Sequence, residues 1–248
     1  MIKRLTTCVL IMAFAICSLT SCSQTNQPDL SVLVVRGGHY YDTPQFEEMC
    51  LSLKGITSDL ALTDHFEKMT AEEIDQKYDA ILFLNQNKKY TTADKHRKQY
   101  MDLANLGVGM VFLQFTLSSQ PEWDAYHDLV GGKWFLKSFE KNEKLHSTYL
   151  TDLTVNIKIL DDTHPVTEGL EDFTMTDAFY GNIHIDPSVH PLLGSDNPDL
   201  SPTIAWAHKY DNSKVVYVMP GFTKKAYGNI SYQKLITNAL NYVASPNK

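Results

Sequence analysis

Cysteine is scarce in this 248-residue chain. There are four, at positions 8, 17, 22 and 50. No C-x-x-C occurs, and no two of the nine histidines stand i, i+4, so neither a thiolate zinc site nor a helical His pair is encoded. No apolar run approaches the roughly 20 residues that a membrane-spanning helix needs. Basic residues are outnumbered 22 to 29 and no basic stripe exists, which excludes recognition of a nucleic-acid backbone. The G-x-G-x-x-G spacing of dinucleotide-binding loops is missing as well.

The first 22 residues are an address rather than part of a fold. Lys3 and Arg4 precede an apolar or small run from Cys8 to Cys17, the pattern of a secretory h-region. Leu19-Thr20-Ser21-Cys22 has the order of a bacterial lipobox, so residues 1–21 are expected to be cleaved and Cys22 to carry lipid. That anchors a chain to a membrane without spanning it. Removal of Lys3 and Arg4 leaves 20 basic against 29 acidic residues, a net charge of −9. Residues 22–29 form a polar tether. Residues 23–27 lack an acidic cluster, which favours a periplasm-facing position in the cell envelope. Only Cys50 remains in the body, so no internal disulfide can form.

The body, residues 30–245, reads as one α/β domain. Residues 30–35, 79–84 and 108–115 are short apolar runs suited to strands buried on both faces. Helical segments lie between them. Thr43 is placed to cap a helix with Pro44 at its first position, and Phe46, Met49, Cys50 and Leu53 share one face, which makes Cys50 a core residue. Thr70 and Glu73 have capping-box spacing. Helices are expected over residues 92–106 and 119–130, the latter with Ser119 and Glu122 as its capping pair. This alternation predicts a parallel sheet with right-handed crossovers. The later half is richer in strands. Residues 153–160 alternate, residues 203–208 and 215–219 make a hairpin across the turn at residues 210–213, and residues 161–173 are rich in turns. Tyr232, Leu235, Ile236, Ala239, Leu240 and Val243 mark a final helix.

In such sheets ligands sit beyond the carboxyl ends of the strands. Gly37-Gly38-His39 follows the first strand. The glycines permit close backbone approach, and His39 is set to face the crevice. Gln114 follows the third strand, where a hydrolase of this topology would carry its nucleophile, yet no Cys or Ser with flanking glycines stands there. His164, Asp177, Tyr180 and the strand residue Trp206 complete the candidates. No metal ligand or cofactor is assigned, since spacing supports none; a metal site assembled from distant loops would escape that test.

In order and spacing these motifs resemble the trehalose-utilisation (ThuA-like) family, within the class I glutamine amidotransferase-like fold. The resemblance is carried by Val34-Val35-Arg36-Gly37-Gly38-His39 with Asp42, by Gly107-Val108-Gly109, by His164-Pro165 through Gly169-Leu170, by Asp177-Ala178-Phe179-Tyr180, and by Ile204-Ala205-Trp206 and the strand leading to Gly221. It implies a flavodoxin-like three-layer sandwich with a mainly parallel sheet. It also implies a role in carbohydrate utilisation. Three positions depart from the family pattern: Gln114 stands where Leu-His is usual, Ala178 replaces a Glu, and Phe222 replaces a His after Gly221. Gln114 can hydrogen-bond but cannot exchange a proton near neutral pH, and Phe222 offers a stacking face instead.

Three readings follow. In the first, the protein binds a carbohydrate in a cleft of Gly38, His39, Gln114, Asp177, Tyr180, Trp206 and Phe222. In the second, it is an enzyme acting on a sugar or 3-keto sugar, with His39 or His164 as general base and Asp177 orienting it. In the third, it is a non-catalytic scaffold at the membrane.

Overall fold

The protein is described by a computed structural model covering residues 29–86 and 94–244. The leader, Cys22 and all of the tether but Asp29 lie outside the described residues, as does Thr92. The elements in chain order are β1 (Leu30–Gly37), α1 (Thr43–Ser52), β2 (Ile56–Leu62), α2 (Thr63–Phe66), α3 (Ala71–Lys77), β3 (Ala80–Asn85), α4 (Asp94–Leu106), β4 (Gly109–Leu113), α5 (Asp124–Val130), β5 (Gly132–Lys133), β6 (Thr148–Ile159), β7 (Phe173–Gly181), β8 (His184–Ile185), β9 (His190–Ser195), β10 (Thr203–Tyr210), β11 (Ser213–Val218), α6 (Lys224–Tyr227) and α7 (Ile230–Ala244).

The apolar runs become the centre of a nine-stranded sheet, in the order β2-β1-β3-β4-β11-β10-β9-β6-β7. From β2 to β11 every pairing is parallel. Beyond β11 every pairing is antiparallel. Every residue of β3 and β4 is buried, because helices cover both faces there. On one face Phe83 stacks on Phe112 at 4.8 Å, beneath Tyr100 of α4 and Tyr126 of α5. On the other, α7 presses so close to β4 that a Cβ on Gly109 would lie 2.3 Å from the Val243 carbonyl oxygen.

Local signals explain most of these elements. Thr70 and Glu73 close a full capping box at α3. Cys50 packs in the core, where burial pushes its thiol up and keeps it protonated. Other expectations need correction. The α1 cap is Asp42, one residue ahead of Thr43. The helix expected from Ser119 starts only at Asp124. Pro121 disfavours helical geometry at Gln120, which sits at φ +53°, so no Ser119–Glu122 box forms. His96 pairs with Glu67, Nδ1 to Oε2 3.0 Å. β2, β7 and β9 carry no apolar run and were not expected as strands. Among the described residues no helix is long and apolar enough to cross a membrane.

Candidate functional site

The C-terminal ends of β1, β3, β4 and β11 meet on one side of the sheet. The closest meeting is between β1 and β3. The Gln86 N–H donates to the Gly37 carbonyl at 2.9 Å. Gly38 follows at φ +83°, and a Cβ there would fall 1.6 Å from the Gln86 carbonyl oxygen. Gly38 therefore lets two backbones cross, rather than letting a ligand approach. The crossing delivers His39. Its ring stacks on Phe115 at 4.8 Å and meets the edge of Phe222 at 5.8 Å. Its Nδ1 is 2.8 Å from the Tyr40 carbonyl oxygen, which can only accept, so Nδ1 carries a hydrogen and donates it there.

Gln114 leaves β4 at φ +47°, a backbone region that costs a non-glycine residue about 1 kcal/mol or more. Two buried tyrosines hold it there. Tyr217 Oη donates to its carbonyl at 2.9 Å, and Tyr180 Oη donates to its Oε1. Burial holds the Tyr180 phenol well above its ordinary pKa, so it stays a neutral donor. With Oε1 engaged, the carboxamide has its Nε2 hydrogens left to offer the cavity that Gln114 lines.

That cavity holds about 320 Å³. His39, Gln114 and Phe115 come from the parallel half of the sheet, and Gln86 bonds Ser118 Oγ at its base at 2.5 Å. Tyr149, Thr151, Ala178 and Tyr180 come from β6 and β7, and Trp134 stands edge-on to Tyr180 at 4.5 Å. Among the described residues its lining holds one histidine, two tyrosines and no carboxylate. No group of three or more His, Cys, Asp or Glu among the described residues is arranged to hold a metal ion.

His39, Gln114, Tyr180 and Phe222 thus converge. Besides Gly38, three other expected site residues do not. Asp177 is fully buried beside the cleft, and its carboxylate accepts from the backbone N–H groups of Gly221 (2.5 Å), Phe222 (3.0 Å) and Thr223 (2.9 Å). It positions the turn that carries Phe222 and does not orient His39; burial raises its pKa against the pull of those donors. His164 caps a short 3₁₀ helix, its Nδ1 accepting from the Val166 N–H at 3.1 Å. Its ring lies on His190 and Tyr242 rather than in the cleft, so it is no base for this site. Trp206 is buried on β10, stacked on Tyr217 at 4.3 Å, with Nε1 donating to the Val130 carbonyl at 2.9 Å. It is core, with no face left for a ligand.

Sequence reasoning missed Phe115, Trp134 and Tyr149. One signal existed: Trp134 and Tyr149 are large aromatics in a polar, strand-poor stretch, and Tyr149 remains 64% exposed.

The sequence model of the trehalose-utilisation family, ThuA, matches residues 31–243. The chain belongs to the ThuA family. The family's description points to a role in carbohydrate utilisation. Among solved structures, a ThuA-like protein from Parabacteroides merdae superposes with a TM-score of 0.71 at 12% identity, over 88% of this chain and 90% of that one. A ThuA-like protein from Bacteroides uniformis gives 0.67 at 17% identity, over 90% and 94%. A β-galactosidase from Bacillus circulans gives 0.57 at 10% identity, matching 85% of this chain to 30% of the enzyme. These likenesses establish a shared mixed α/β fold. No curated protein matches the chain. Gln114, Ala178 and Phe222, the three positions where the resemblance implies a departure from the family pattern, all line the same cavity.

Proposed function

We propose that this ThuA protein binds a sugar or sugar derivative in the cleft at the strand C-terminal ends, as a lipid-anchored, periplasm-facing component of carbohydrate utilisation. The observation that carries the reading is the convergence of His39, Gln114, Tyr180 and Phe222 on one cavity with aromatic walls and uncharged hydrogen-bonding groups. Aromatic faces take up the C–H faces of a pyranose, while amide, phenol and threonine groups meet its hydroxyls. The loss of two His and one Glu from the ThuA pattern at that cavity favours holding a ligand over moving its protons. The lipobox and Cys22 support the anchor.

Titrating the full chain with glucose by ligand-detected NMR tests this. Binding is expected, and Gln114→Leu is expected to weaken it by about tenfold or more, since one hydrogen-bonding group is lost and the Tyr180 hydroxyl is orphaned. No binding by the wild type would leave the scaffold reading. An enzymatic reading on a 3-keto sugar keeps one specific support, the Nδ1 bond of His39 to the Tyr40 carbonyl, which fixes the orientation of the ring at the cavity. Turnover of a 3-keto-glucoside that disappears in His39→Ala would favour it; equal turnover in both would sink it.

A further inference from the structure

The His164-Pro165 motif takes no part in the cleft, yet it sits in a specific setting. It lies in a strap, residues 160–172, that joins β6 to β7, the two strands whose side chains wall the cleft. The strap is held down by α7. Asn238 Nδ2 donates to the Val166 and Glu168 carbonyls at 3.2 and 3.0 Å, and Lys234 Nζ donates to the Gly169 carbonyl at 2.6 Å. Val166 and Thr167 are fully buried there. His164 starts the strap's 3₁₀ turn, Pro165–Thr167, by accepting the Val166 N–H on Nδ1 at 3.1 Å. That bond needs a lone pair on Nδ1, so the ring is neutral with its hydrogen on Nε2. A second proton can go only to Nδ1, where it would face the Val166 N–H. The cap would then be lost.

The groups around the ring oppose the added charge. From β9, His190 lies against it with ring centres 5.4 Å apart. From α7, Tyr242 lies 4.7 Å away, a phenol that burial keeps above its ordinary pKa, and Lys214 of β11 sits over that same ring at 5.1 Å. The anion that faces His164 is Asp161 of the strap itself, and both its oxygens are engaged. Oδ1 accepts from the Thr163 N–H and hydroxyl, and Oδ2 lies 2.7 Å from His190 Nε2. The Thr163 bonds above all hold its pKa down to about 2, so it stays an anion in mild acid. Burial first, and then the charge of His190, push His164 below the ordinary imidazole pKa. Because folding favours the neutral ring, the cap is complete above about pH 6.5 and is lost as pH falls below that value.

We propose that His164, set against His190, is an acid-sensitive latch: neutral, it caps the strap onto α7; protonated, it releases the strap and with it the start of β7. This is independent of what the cleft binds. Hydrogen–deuterium exchange on the full chain, corrected for the intrinsic pH dependence of exchange, tests it between about pH 7.5 and about pH 4.5. Protection of residues 164–172 is expected to fall about fivefold on acidification, the usual weight of a lost cap, while that of β3 and β4 holds. His164→Asn keeps an acceptor for the Val166 N–H but does not titrate, so its protection is expected to stay within about twofold across the range. His164→Ala removes the acceptor and is expected to give low protection at both ends. His190→Gln keeps a donor for Asp161 and removes the facing charge, so the strap's transition is expected to move to higher pH. Unchanged protection in the wild type, or an equal fall in His164→Asn, would overturn the latch. A transition that His190→Gln leaves in place would overturn the role of His190 in it.

Discussion

The two halves of the sheet play by different rules, and the cleft lies where they meet. Strands β2, β1, β3, β4 and β11 are parallel, and helices cover both faces at their centre; the six residues of β3 and the five of β4 are all buried. Strands β10, β9, β6 and β7 are antiparallel, and β6 begins with five exposed residues. The parallel half supplies the floor of the cleft through tight backbone crossings and the strained Gln114. The antiparallel half supplies a wall of side chains, Tyr149, Thr151, Ala178 and Tyr180. The floor is part of what makes the protein fold, whereas the exposed members of the wall, Tyr149 and Thr151, can change what it binds without touching the core.

That contrast can be broken by substitution. Gly38→Ala should do the most damage, because the new methyl would meet backbone at 1.6 Å in a conformation that L-residues avoid. A loss of about 4 kcal/mol or more, or failure to fold, is expected in chemical denaturation. A variant as stable as the wild type would show that the β1–β3 crossing is not a rigid floor. Asp177→Asn sits on the boundary. One amide can no longer accept from all three N–H groups of residues 221–223, and its own N–H₂ would face a donor. A loss of about 2–4 kcal/mol in the same measurement is expected, with Phe222 released from its place. An unchanged midpoint would mean that the turn holds itself. Tyr149→Ala tests the wall alone. Being 64% exposed, it should shift stability by no more than about 0.5 kcal/mol, yet weaken sugar binding severalfold. A large stability loss there would erase the distinction between floor and wall.

The same contrast explains what could be read in advance. The parallel strands announce themselves because burial on both faces demands continuous apolar runs, as in residues 79–84. β7 and β9 do not, because a strand at or near the open end of a sheet can carry Thr and His on its outward positions. The site was half legible for a related reason. His39 and Gln114 follow apolar strands whose ends are visible, so their place at the crevice follows from topology alone. Trp206 and Asp177 were misplaced because their strands could be given a face only once their partners were known.

Local signals settle at short range, and two were settled here: the Thr70–Glu73 box and the place of Cys50 on the inner face of its helix. Each depends on neighbours within a few residues along the chain. The assignment of Asp177 and Tyr180 is of another kind. Three residues apart, the two would be neighbours on a helix, but on a strand, where side chains alternate, they must face opposite ways. Tyr180 and Ala178 turn into the cleft; Asp177 turns away and clamps the loop from β11. Only the pairing of β7 with β6, residues distant in sequence, decides that this segment is a strand and which of its faces meets the cleft.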